Sequence, residues 1–152
     1  MRFFLEEAEE ELSRILERLE GKEEVAVKAF WKPEAVRREL GQRGERTVTW
    51  SEAIRVGQAV EAVLERWRED LAREVEREFR PRAEFLWNES WAPRLLADLA
   101  LLVPREEVPE IKKSVAALGS RFGGRLELKA FFGLPPYSFS AIRWPGSGRE
   151  EG

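Results

Sequence analysis

Between Pro93 and Pro104 the chain carries Arg94-Leu95-Leu96-Ala97-Asp98-Leu99-Ala100-Leu101-Leu102-Val103, an apolar run broken inside by one charge. Periodicity alone allows a buried helix here. The flanking prolines and the short length favour a central strand covered on both faces, because proline neither continues a helix nor donates a ladder hydrogen bond. A chain with such a strand must find apolar cover for two sides of a sheet. Asp98 inside the run must be paired, protonated or placed at the sheet margin. A satisfied or edge-facing carboxylate is the expected outcome, ahead of a catalytic role.

The cover is legible on either side of the run. Leu5, Ala8, Leu12, Ile15, Leu16 and Leu19 recur at helical spacing and predict a helix over 4–20, stopped by Gly21. Residues 23–31 alternate as a strand, with Val25, Val27, Ala29 and Trp31 on one face and Glu24, Ala26, Lys28 and Phe30 on the other. Pro33 suits the first position of a short helix that reaches Leu40, and a polar connection, Gly41 to Arg46, follows. Thr49-Trp50-Ser51-Glu52 is a capping box, with Val48 and Ala53 as its staple. It opens a long helix whose stripe is Val56, Val60, Val63, Leu64, Trp67, Leu71, Val75 and Phe79; Pro81 ends it. Glu69–Arg73 and Arg66–Asp70 stand at i,i+4 on its outer face.

Residues 82–91 read as a short edge strand and turn. After the apolar run, Pro109 fits the first turn of a helix ended by Gly119, with Ile111, Val115, Leu118 and Phe122 as its stripe. Arg125 to Phe132 alternate as a strand, and strand–helix–strand at this length predicts a right-handed βαβ crossover with parallel neighbours. Leu134-Pro135-Pro136 is a stiff corner, after which Tyr137 to Trp144 is a candidate edge strand. Tyr137 and Phe139 are expected to pin the tail onto the fold; 146–152 is Gly/Ser/Glu-rich and expected to be disordered. The fold class is therefore α+β: a mixed sheet with a ferredoxin-like βαβ half, covered by a long helix.

Composition narrows the chemistry. With no cysteine and no histidine among 152 residues, disulfides, thiolate nucleophiles, zinc–thiolate sites and the commonest general base are excluded. Charged residues make up 36% of the chain, which demands long solvated helix faces, while the formal net charge of −3 gives no reason to expect nucleic acid. No run approaches the ~20 apolar residues of a membrane span, so no membrane partner is expected and the cytoplasm is the default location. Gly119 to Gly124 lacks the phosphate-loop spacing and its Lys-Ser/Thr end. Glu106 and Glu107 are adjacent carboxylates, a pair that means little unless a pocket holds it. No catalytic, cofactor or metal site is expected, and the chain reads as a non-enzyme.

Four segments, in order, carry a family resemblance. Leu19-Glu20-Gly21-Lys22-Glu23-Glu24-Val25-Ala26-Val27-Lys28 is similar to a Leu-x-Gly-x-x-Glu-x-x-Val-Lys pattern; Ser51-Glu52-Ala53-Ile54-Arg55-Val56-Gly57 to the start of a long helix with Ala-Ile-x-x-Gly. Leu99-Ala100-Leu101-Leu102-Val103-Pro104-Arg105 is similar to an Ala-x-Leu-Val-x-Arg strand end, and Gly133-Leu134-Pro135-Pro136-Tyr137-Ser138-Phe139 contains the most specific signature. Together they resemble the gas vesicle protein F/L family (GvpL/GvpF-like). Where the family usually has Gly-Pro before the signature, Phe132-Gly133 stand here. The chain also looks shortened at its N-terminus. On that reading, 1–46 is a remnant of the family's N-terminal α/β domain and 47–145 is the long helix with the C-terminal α+β domain. A strand over 23–31 without sheet neighbours would be an exposed edge, so it is expected to join the C-terminal sheet, with homodimerisation as the second route.

The resemblance implies a non-enzymatic accessory protein of gas vesicle assembly, located with vesicles in the cytoplasm. It would bind the small hydrophobic shell protein or other vesicle proteins. Trp31, Trp87, Trp91, Tyr137 and Trp144 are the candidate contacts, since Trp and Tyr are enriched at interface hot spots. Two alternatives stay open: a stand-alone protein-binding or scaffold module, and a single-stranded RNA-binding domain that stacks bases on a sheet face with Arg125, Lys129 and Phe131.

Overall fold

The protein is described by a computed structural model over residues 2–41 and 49–140. The expected connection over 42–46, Val48 of the staple, Trp144 and the tail 146–152 lie outside the described residues.

The apolar run forms β3 (Leu95–Pro104), and the rest of the fold is arranged about it. β1 (Lys22–Trp31) lies along one side of it and β2 (Glu84–Asn88) along the other, while β4 (Leu126–Leu134) closes the order β2-β3-β1-β4. The pairing of β1 with β3 sets Val25 opposite Leu101, Val27 opposite Leu99 and Ala29 opposite Ala97. On the other flank Val27 faces Ala130, Ala29 faces Leu128 and Trp31 faces Leu126. The period-2 patterns of three strands thus fall on one face of the sheet, which is what fixes the register: a one-residue slip would turn every core residue outward.

Two helices cover that face. α3 (Trp50–Phe79) buries Val63, Leu64, Trp67, Leu71, Val75 and Phe79; α4 (Val108–Phe122) buries Ile111, Val115, Leu118 and Phe122 in the same cluster. α2 (Pro33–Glu39), with proline in its first turn, adds Ala35 and Val36. The opposite face has a smaller cluster of Ala100, Leu102 and Phe139, packed against Leu19 at the end of α1 (Arg2–Leu19) and Leu86 of β2. β3 is therefore covered on both sides, as its composition demands.

Every neighbouring pair of strands is antiparallel. The predicted crossover from β3 through α4 to β4 does connect strands that run the same way, but β1 lies between them. The expectation of parallel neighbours fails for this reason: the crossover rule fixes direction and leaves open which strand is inserted. The order β1–α3–β2–β3–α4–β4 in a sheet β2-β3-β1-β4 makes two interleaved split βαβ units, the ferredoxin-like arrangement.

Local signals resolve similarly. Gly21 ends α1 with φ +73, and its carbonyl accepts the Arg105 N–H at 3.0 Å, which ties the turn to the far end of β3. Thr49 accepts the Glu52 N–H at 3.2 Å while the Glu52 carboxylate accepts the Thr49 N–H at 3.0 Å, a complete capping box. α4 continues through Gly119, whose φ is not left-handed, because Leu118 and Phe122 both seat in the core; Gly123 and Gly124 make the turn. Lys32 Nζ donates to the Gly123 carbonyl and Arg38 to that of Gly124, so cations occupy the carbonyl end of α4. The two i,i+4 pairs expected on α3 give way to i,i+3 pairs within the helix and to bonds with other elements. Arg66 reaches Glu39 of α2, Asp70 holds Arg73 and Arg125, and Glu74 holds Arg77 and Arg121.

Asp98 is satisfied. Its Oδ2 accepts from Lys28 Nζ at 3.0 Å and from Ser90 Oγ at 2.7 Å. The two partners differ in burial, Asp98 being 5% exposed and Lys28 35%. Without Asp98, Lys28 can swing its ammonium to water; without Lys28, the carboxylate stays buried with one hydroxyl. Lys28→Met should therefore cost more than Asp98→Asn, about 3 against about 1 kcal/mol in urea unfolding. At the start of α3, Trp50, Ile54 and Val56 are exposed, so the first turns depend on their cap. Thr49→Ala should release amide protection near Ala53 to Val56 while lowering global stability by about 1 kcal/mol or less.

Candidate partner-binding surface

The stretch Gly133 to Phe139 is built by a glycine and two prolines acting in sequence. Along β4 the pairing with β1 jumps from Ala26–Phe131 to Glu24–Leu134, so one extra residue sits on β4. Gly133 lies within that bulge with φ +72, a value that side-chain-bearing residues rarely adopt. Pro136 follows with φ −79 and ψ 58, and the Tyr137 N–H donates to the Pro135 carbonyl at 2.8 Å. This is an inverse γ-turn, for which the proline ring presets φ. The turn delivers Tyr137–Phe139 as a single 3-10 turn, so the strand expected from Tyr137 onward does not begin there.

Glu24 receives that turn. It is buried on β1, on the face opposite Val25. Its Oε1 accepts the Ser138 N–H at 2.9 Å and its Oε2 accepts the Ser138 hydroxyl at 2.8 Å. Both carboxylate oxygens thus hold one residue. Arg18 of α1 donates to the Phe139 carbonyl at 3.3 Å, and the Phe139 ring is buried against Ala100 and Leu102. Phe139 pins the chain, as expected. Tyr137 does not: its side chain is 78% exposed and points away from the contacts that fix its neighbours.

The aromatic residues do not converge. Tyr137 stands at the Glu24 end of β1. Trp31 ends the same strand and is partly buried against the main core. Trp87 lies on the edge strand, partly exposed, with its ring edge-on to Phe85 at 6.3 Å between centroids. Trp91 is almost fully exposed between β2 and β3. Trp144 lies outside the described residues.

The sheet face with Lys28, Phe30, Lys129 and Phe131 is only partly covered. Lys28 stands opposite Lys129, yet Lys28 is neutralised by Asp98 and the Lys129 ammonium sits 5.2 Å from the Phe30 ring centroid. Arg125 precedes β4 and turns to the helix layer, over the Phe122 ring at 4.9 Å and against Asp70. It does not join Lys129 and Phe131, because the Asp70 carboxylate and two aromatic rings draw it the other way. Glu106 and Glu107 are exposed in the 3-10 turn Arg105–Glu107. Among the described residues no three acidic side chains are placed to hold a metal ion, and no helix is long and apolar enough to cross a membrane.

The Glu24–Ser138 bond was the feature that reading the sequence missed. Glu24 and Ser138 each lie in a quoted motif, and the only local hint was a glutamate in a strand whose same-face neighbours include Ala26 and Phe30. The exposed leucines of α1 were missed as well, since periodicity marks an apolar stripe without saying what covers it.

Comparison with known proteins places the chain and its fold. The gas vesicle protein F of Microcystis aeruginosa is 24% identical over 144 residues, covering 87% of this chain and 59% of the relative; that of Dolichospermum flosaquae is 24% identical over 145 residues, covering 88% and 59%. The chain therefore spans about three-fifths of the length of these curated relatives. Crystal structures of the gas vesicle protein GvpF from Anabaena sp. PCC7120 and from Microcystis aeruginosa share the fold, with TM-scores of 0.70 and 0.66 at 24% identity. They align with 88% and 91% of this chain and with 56% and 62% of their own. A family description, gas vesicle synthesis protein GvpL/GvpF, matches residues 1–141, and the chain belongs to that family.

Proposed function

We propose that this protein is a non-enzymatic accessory factor of gas vesicle assembly that binds the small hydrophobic shell protein, with Tyr137 as a principal contact. The observation that carries the reading is the contrast within three residues. Ser138 and Phe139 are locked by Glu24, Arg18 and the small core cluster, while Tyr137 between that anchor and the prolines presents its ring to solvent. An aromatic side chain on a rigid turn binds with little loss of conformational freedom, because the backbone is already ordered. Family membership supplies the vesicle context. Trp91, also exposed, is the second candidate contact, at the other end of the sheet.

The test is co-purification of shell protein from cells expressing both chains. Tyr137→Ala should melt within about 2 °C of the parent, as exposed substitutions do, and lose about tenfold or more of the retained shell protein. Phe139→Ala should cost about 3 kcal/mol, because it empties a buried ring site. Retention by Tyr137→Ala at the parent level removes the turn from the interface. No retention by the parent chain overturns the shell-protein reading itself.

A further inference from the structure

α1 contributes little to the fold. Ile15 is buried and Leu19 packs on the small cluster, yet Leu5 is 60%, Leu12 43% and Leu16 59% exposed. These three share a helix face at spacings of seven and four, the pattern of a two-helix seam, and Leu19 continues it. Single exposed leucines need no explanation, but three in one row leave an apolar stripe open to solvent.

The borders of the stripe say what fits it. On the 100° wheel of a helix, Glu9 and Glu6 border one side of the leucine row and Glu17 lies farther round on that side, all exposed. None of them has an ion-pair partner among the described residues. The basic residues Arg14 and Arg18 lie toward the far side, where Arg14 is matched with Glu10 and Glu11, and Arg18 with Glu84 and the Phe139 carbonyl. A second copy laid on this stripe would bring two rows of glutamates together with no facing cations, and like charges at such a seam are unfavourable. A helix with leucine-type residues along one face and lysine or arginine beside them meets both the stripe and its carboxylate border.

We propose that α1 is a docking helix for a basic amphipathic helix of another protein, seated on Leu5, Leu12 and Leu16 and held in register by Glu6 and Glu9. The site is separate from the signature turn and does not depend on the vesicle reading. Its test uses the full chain and two synthetic amphipathic peptides of one pattern, leucine with lysine and leucine with glutamate. Fluorescence anisotropy should show the leucine–lysine peptide binding at least about tenfold more tightly. Leu12→Ser with Leu16→Ser, which leaves charge unchanged at exposed positions, should weaken that binding by about tenfold or more while melting stays at the parent value. Glu6→Lys with Glu9→Lys should invert the preference between the peptides. Equal binding of both peptides overturns the proposal, as does full retention by the leucine variant, which would reveal charge attraction alone. A concentration-dependent dimer in sedimentation that Leu12→Ser with Leu16→Ser dissolves would assign the stripe to a second copy instead.

Discussion

The bond between the Glu24 carboxylate and Ser138 joins the first strand of the sheet to the turn that follows β4. Glu24 lies near the start of β1, one of the two inner strands, and Ser138 follows β4. A buried carboxylate is costly unless hydrogen-bonded, so Glu24 requires a partner, and the turn supplies both an N–H and a hydroxyl. The requirement works backward along the chain. For Ser138 to arrive there, β4 must take a bulge at Gly133 and the backbone must bend at Pro136. The sequence of the stretch Leu134 to Phe139 is thereby explained by the geometry that brings a serine to a buried glutamate. Tyr137 is the aromatic member that this geometry leaves exposed.

β3 imposes the second constraint. Its leucines face both ways, so one sheet face takes α3 and α4 and the other takes Leu19 and Phe139. The second layer is thin. It leaves Lys28, Phe30, Lys129 and Phe131 partly uncovered and leaves α1 attached through a few residues at its end. Lys28–Asp98–Ser90 keeps the single charge inside β3 satisfied on that thinner side. The more weakly covered side is thus where both the presented tyrosine and the exposed leucine stripe are found.

Elements were legible where the determining interactions are local. The capping box at Thr49 and Glu52, the stripe of α3 and the alternation of β1 and β4 all depend on neighbours within a turn or a pleat, and each element formed. Strand order was not legible, because insertion of β1 between β3 and β4 is decided by which apolar faces match across 70 to 100 residues of chain. Gly119 misled for a related reason: a glycine permits a helix end without requiring one, and Phe122 held the helix on the core. The ion pairs of Asp70 and Glu74 reach Arg125 and Arg121 because α3 and α4 lie side by side, which no i,i+4 count reveals. Residue type nominates a contact but does not report exposure: Trp31 is partly buried, Tyr137 is open.

The central claim, that Glu24 fixes the signature turn, is tested most directly by a double-mutant cycle of Glu24→Ala and Ser138→Ala in urea unfolding. A hydroxyl bonded to a buried carboxylate predicts a coupling of about 1.5 kcal/mol or more. Losses that simply add, within about 0.5 kcal/mol, would show that the two residues do not act as a pair and would contradict the account.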